Sequence, residues 1–135
     1  MDAQKSPGCE LSMSVEKLDA ELNAMIVAGE LLRSFDTFFH ADIAMRENDS
    51  PPIVGFGPNR EREKAFASAI ASFNELRLLS SAVSGDVSFS EWILDCTLRD
   101  GTGLRFEQVA VRRWREGKVI AERFYYRPLS REGAT

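Results

Sequence analysis

Apart from one short strand, the spacing of apolar residues changes once along this chain, and that change constrains the fold more than any other feature. As far as about residue 73 apolar side chains recur at helical intervals, and beyond it they alternate. Leu18, Leu22, Met25 and Ile26 form one helical face. Ser14 is a fair N-cap for that helix, and Gly29, free to adopt positive φ, ends it. Leu31, Leu32, Phe35, Phe38 and Phe39 predict the buried side of a second helix. His40-Ala41-Asp42 breaks the pattern, and Ile43 to Glu47 alternates as a short strand. Asn48 to Pro52 reads as a loop, continued by Gly55, Gly57 and Pro58. A third helix is expected from about Glu61 to Phe73. Phe66, Ala69, Ile70 and Phe73 would face inward, with Arg62, Glu63 and Lys64 on the wet side.

Four strands follow: Leu76 to Val83, Val87 to Leu98, Leu104 to Trp114 and Val119 to Arg127. Their short links, Ser84-Gly85-Asp86, Arg99 to Gly103 and Glu116-Gly117, imply hairpins and hence an antiparallel meander. Helices first and strands after argue for an α+β fold, three helices on one face of a bent, mostly antiparallel sheet. The 135 residues suffice for one domain, placed at 13–128, with flexible segments at 1–12 and 129–135.

Composition removes several classes of function. Hydrophobic residues make up 44% and charged residues 28%, which supports a packed core rather than a disordered chain. No run approaches a membrane span, and the N-terminus lacks a signal pattern. One histidine, His40, and two cysteines, Cys9 and Cys96, make a metal site or a disulfide framework a poor expectation. No Gly-rich phosphate cradle is present, so no cofactor is implied. Reduced cysteines fit a cytoplasmic protein. The net charge is −4, but residues 1–50 carry −6 and residues 105–131 carry +5. The basic residues of that second stretch alternate onto both faces of a sheet, which argues against a nucleic-acid footprint.

Three blocks of sequence carry a resemblance. They are Phe39-His40-Ala41-Asp42-Ile43-Ala44-Met45-Arg46-Glu47 with Pro52-Ile53-Val54-Gly55; Asp100-Gly101-Thr102-Gly103 with Val109-Ala110-Val111; and Gly117-Lys118 through Tyr126. In order and spacing, over residues 14–128, they resemble the SnoaL-like branch of the nuclear transport factor 2-like superfamily. The resemblance implies a cystatin-like cone with a hydrophobic cavity at its wide end, and a homodimer through the convex face of the sheet. The superfamily includes polyketide cyclases, ketosteroid isomerases, epoxide hydrolases and dehydratases, so fold alone does not choose a reaction.

Matching the last strand to that family turns Phe106, Gln108, Ala110, Arg112 and Trp114 inward, with Ile120, Glu122, Phe124 and Tyr126. Arg112 and Glu122 then become cross-strand neighbours. This requires a bulged turn near Glu116-Gly117, because a plain two-residue turn sets Arg112 against Ala121. By the same resemblance Glu47 stands where the isomerases carry their proton-shuttling carboxylate, with Arg112 to stabilise an oxyanion. The bland alternative is that Glu47 pairs with Arg46, Arg112 or a loop amide. The isomerase donors are missing, their positions being Leu22 and Ala110, and Phe124 stands near the cyclase aspartate. Glu122 reads as an ion pair with Arg112 in the cavity wall rather than a catalyst. Met45, Trp92, Trp114, Phe124 and Tyr126, with Gln108, are candidate ligand contacts; core packing would explain the aromatic ones equally well. Parity leaves the facing of Asp95 open. The expectation is a domain that binds a small hydrophobic molecule. It would be either a cofactor-free isomerase, cyclase or dehydratase acting on a carbonyl compound, or a non-catalytic ligand-binding or dimerisation module.

Overall fold

The computed structural model describes residues 14–127; the two expected terminal segments and Cys9 lie outside them. Helix α1 spans Val15–Val27 and α2 spans Leu31–Phe38. Strand β1 covers Phe39–Glu47 and β2 covers Ile53–Val54. Helix α3 covers Phe56–Ala69. The meander follows as β3 Ile70–Ser84, β4 Val87–Leu98, β5 Gly103–Arg115 and β6 Lys118–Tyr126. The six strands form one sheet in the order β2-β1-β6-β5-β4-β3. Every pairing is antiparallel except β1 with β6, so the fold is α+β with three helices packed on a mostly antiparallel sheet.

Ser14 caps α1 by accepting a hydrogen bond from the Lys17 amide at 3.2 Å. Leu22, Phe35, Phe38, Phe39, Ile43, Met45, Trp114 and Val119 form the core, where α1 and α2 meet β1 and the β5–β6 hairpin. Burying such side chains contributes roughly 1.5–3 kcal/mol each. Asn59, fully buried, holds the start of α3 against the β1–β2 hairpin. Its Nδ2 donates to the carbonyls of Ile53 at 2.9 Å and Gly55 at 2.8 Å.

Three boundaries differ from expectation. Helix α2 stops at Phe38, so Phe39, His40, Ala41 and Asp42 belong to β1. Gly57 and Pro58 lie within the first turn of α3, where proline costs nothing because its missing N–H would have no helical partner. The third helix ends at Ala69, and Ile70 and Phe73 are strand residues. Those two continued a helical stripe by coincidence of spacing, and pairing with Leu98 and Cys96 decides the matter.

Arg112 does face Glu122, but by another route than a bulged turn. Glu116 and Gly117 form a plain two-residue turn with φ of 56° and 77°, the positive values that a tight hairpin of this twist requires. Trp114 therefore pairs with Val119. The next pair is Arg113 with Ala121, and Ile120 is left over as a bulge. The bulge also corrects one inward assignment, since Val119 rather than Ile120 is fully buried.

Candidate functional site

Between the helices and the concave face of the sheet lies a cavity of about 420 Å³. That is within the usual size range for small-molecule sites. Its wall is mostly apolar: Ile26, Leu31 and Phe35 from α1 and α2, Phe39 and Met45 from β1, Phe66 from α3, and Leu76, Trp92, Leu94, Leu104, Phe106 and Phe124 from the rest of the sheet. Strand alternation explains the composition. On β5, Phe106, Gln108 and Arg112 point inward while Arg105, Glu107 and Arg113 are exposed.

Of the residues singled out from sequence, Met45, Glu47, Trp92, Gln108, Arg112, Glu122, Phe124 and Tyr126 all line this cavity. Trp114 does not. It packs edge-on against Phe38 in the core, and its indole N–H donates to Ser88 Oγ at 2.9 Å. The inward parity was right, but Trp114 lies too close to the closed end of the hairpin to reach the open space. Asp95 faces outward, where Arg105 donates to it at 3.2 Å.

Two polar groupings meet the cavity. The inner one is centred on Arg112, which is 2% exposed. Its Nε donates to Glu122 Oε2 at 2.8 Å, and its Nη1 donates to Asp19 Oδ1 at 2.8 Å and Asn23 Oδ1 at 2.7 Å. Ser88 donates to the same Asp19 oxygen at 2.8 Å. Burial works to lower the pKa of Arg112, but the Glu122 and Asp19 carboxylates more than offset it, so the guanidinium stays charged. Burial pushes the Glu122 carboxyl up, and Arg112 opposes the shift. This network ties α1 to three strands, β4, β5 and β6; it contributes polarity and register more than net stability.

The outer grouping contains Glu47, Tyr126, Arg62 and Glu63. The Tyr126 hydroxyl donates to Glu47 Oε1, and Arg62 Nη2 donates to Glu47 Oε2 at 2.8 Å. Burial, together with the bond to Glu47, pushes the Tyr126 phenol up to about 12. Of the three pairings foreseen as alternatives for Glu47, none forms; its cation is Arg62 from α3. Glu63 is the residue that sequence reasoning missed. Expected on the wet side of its helix, it lines the cavity with no hydrogen-bond partner among the described residues. Burial pushes its carboxyl up to about 7, with repulsion from Glu122 and Glu47 adding to the shift and Arg62 opposing it. A polar Arg-Glu pair on the inner side of α3 inverts the usual amphipathic pattern, so hydrophobicity gave no signal for it. Among the described residues, no group of three or more His, Cys, Asp or Glu is placed to hold a metal ion.

The arrangement offers an oily chamber, a charged inner end, and a mouth bearing a carboxylate, a phenol and a carboxyl that titrates near neutrality. Groups of that kind can bind an apolar molecule with one polar end and exchange protons with it.

No protein-family model matches the sequence, and no curated protein matches it. Solved structures do share its fold. A candidate SnoaL-like polyketide cyclase from Mesorhizobium loti superposes with a TM-score of 0.75 at 19% identity, covering 84% of this chain and 100% of that one. An LEH-like epoxide hydrolase from M. tuberculosis has a TM-score of 0.66 at 16% identity, over 84% of this chain and 81% of that one. A protein from Burkholderia pseudomallei described as NTF2-like has a TM-score of 0.67 at 15% identity, over 85% and 92%. At these identities the likeness is one of architecture: the chain has the nuclear transport factor 2-like, SnoaL-like cone fold.

Proposed function

We propose that this protein binds one flat, hydrophobic small molecule in the cone and moves a proton on it without a cofactor, in the manner of an isomerase, cyclase or dehydratase acting on a carbonyl compound. In this reading Glu47 is the base and Glu63 the acid that returns the proton. Arg112, with Gln108, polarises the inner end of the chamber, where negative charge would develop. The observation that carries the reading is the unpartnered Glu63 carboxyl, pushed up to about 7, facing the same apolar cavity as the paired Glu47. An acid whose burial lifts its proton affinity to near neutrality, facing the same cavity as a second carboxyl group, suits acid–base catalysis near neutral pH. The fold neighbours span cyclase and epoxide hydrolase descriptions, which supports a small-molecule site without choosing the reaction. The reading places the protein in the cytoplasm, with a second copy on the outer face of the sheet.

One observation favours a second reading, a ligand-binding module without catalysis. Both oxygens of Glu47 are already engaged, by Tyr126 and Arg62, so a substrate would have to displace one of those partners to reach them. A panel of flat ketones and phenols, tested for thermal stabilisation and for product, separates the two. Catalysis predicts turnover that falls at least about 100-fold in Glu47→Gln and Glu63→Gln while binding persists. Stabilisation without product assigns the chain to the binding class, and neither effect from any apolar probe sinks both readings.

A further inference from the structure

The convex face of the sheet carries two groups of arginine, and they are treated differently. At one end Arg105 donates to three carboxylates: Glu75 at 3.3 Å, Asp95 at 3.2 Å and Glu107 at 3.1 Å. At the other end Arg46, Arg113 and Arg123 border a depression of about 210 Å³. There the positive charge is nearly unanswered. Arg46 and Arg123 are direct partners in the β1–β6 register, and like charges side by side on neighbouring strands repel. Arg46 Nε is buried with no acceptor, and neither the Arg46 nor the Arg113 side chain has a hydrogen-bond partner among the described residues. Arg123 donates to the Asn48 carbonyl at 3.0 Å and to Asp49, itself fully exposed, at 3.2 Å. Glu122 borders the depression, but its carboxylate lies on the opposite face of the sheet, engaged by Arg112.

A buried donor without an acceptor is rare in folded proteins, and each instance calls for an explanation. We propose that the Arg46–Arg113–Arg123 depression is an oxyanion site, which takes a phosphate or carboxylate group. Two facing oxygens on one small anion suit the forked donors of guanidinium. Pro52, Val111 and the Tyr125 ring supply apolar edges, and Arg123 already lies over that ring with its carbon 4.6 Å from the centroid. The site is separate from the cavity, so it stands or falls independently of the proton-transfer reading.

The test titrates inorganic phosphate against chloride at constant ionic strength, following Tm and heat of binding. Three proteins are compared: the wild type, Arg46→Met, and Arg105→Met, which loses one positive charge at the compensated end of the same face. The expected result is a saturating rise in Tm with phosphate that chloride does not reproduce. Binding should weaken at least about tenfold in Arg46→Met and remain in Arg105→Met. Sedimentation on the same samples identifies the source of the anion. A monomer that takes phosphate has a free-anion site. A dimer that Arg46→Glu dissociates and phosphate competes apart has a carboxylate of the second copy seated there. Equal responses to phosphate and chloride, or an Arg46→Met response like that of the wild type, combined with an oligomeric state indifferent to Arg46→Glu, overturn the proposal.

Discussion

Glu63 makes a residue-scale argument that stability can test. Its carboxyl rises from an ordinary 4.5 to about 7 on folding, chiefly through burial. A raised acid binds protons more tightly folded than unfolded. Its neutral form is therefore no burden in acid, and stability declines as pH climbs from about 4.5 through about 7, then levels. Glu63→Gln removes that decline. The variant should match the wild type near pH 4 and exceed it by about 3 kcal/mol at pH 8 in urea unfolding. A constant difference across the range would mean that Glu63 is solvated in the folded protein. Nothing in the sequence marked this residue, because its position on α3 resembles a surface one until the cavity is known to lie beneath it. Glu47 was legible through the resemblance, which sets it where the isomerases of that superfamily carry their carboxylate. Its partners, Arg62 and Tyr126, come from elements whose approach only the folded chain reveals.

At the scale of elements, the meander was legible and the helix–strand joints were not. Alternation and glycine links gave the β3–β6 hairpins and the two faces of β5, since a sheet with one buried face records its register in every second residue, and the resemblance chose which face turned inward. Local pattern could not tell whether the extra residue of the β5–β6 hairpin lay in the turn or two pairs beyond it, because either satisfies Arg112 opposite Glu122; the structure puts it at Ile120. The end of α3 was misread because Ile70 and Phe73 keep helical spacing with Phe66 while serving a strand. Asn59 seats the start of α3, and with it Arg62 and Glu63, against the β1–β2 hairpin. Asn59→Ala should cost about 2–3 kcal/mol by leaving buried carbonyls without a donor. Asn59→Asp should be no better despite its matching shape, since a carboxylate cannot donate. Recovery of stability in Asn59→Asp would show that shape, not donation to Ile53 and Gly55, holds the joint.

For the whole molecule, the central question is why a chain this short leaves room inside itself. Interiors are normally close-packed, and emptiness lined by leucine and phenylalanine forfeits dispersion contacts. The bent sheet creates the space: β3 to β6 curve around helices too few to fill it, and the core proper occupies only the end near α1, α2 and Trp114. A void that costs stability can be filled by a side chain as well as by a ligand. Leu94, pointing inward from β4 beside Trp92 and Phe106, is a suitable position. Leu94→Trp should leave Tm unchanged or raise it by a few degrees, because the added ring enters existing space. The same variant should lose the stabilisation that apolar probes give the wild type. In a well-packed interior the opposite holds, and overpacking costs about 1–3 kcal/mol. A Leu94→Trp protein that melts well below the wild type would therefore mean that the cone is filled in solution, and the small-molecule reading would lose its chamber. If it keeps its stability while probe binding disappears, the space is real and the probes occupy it.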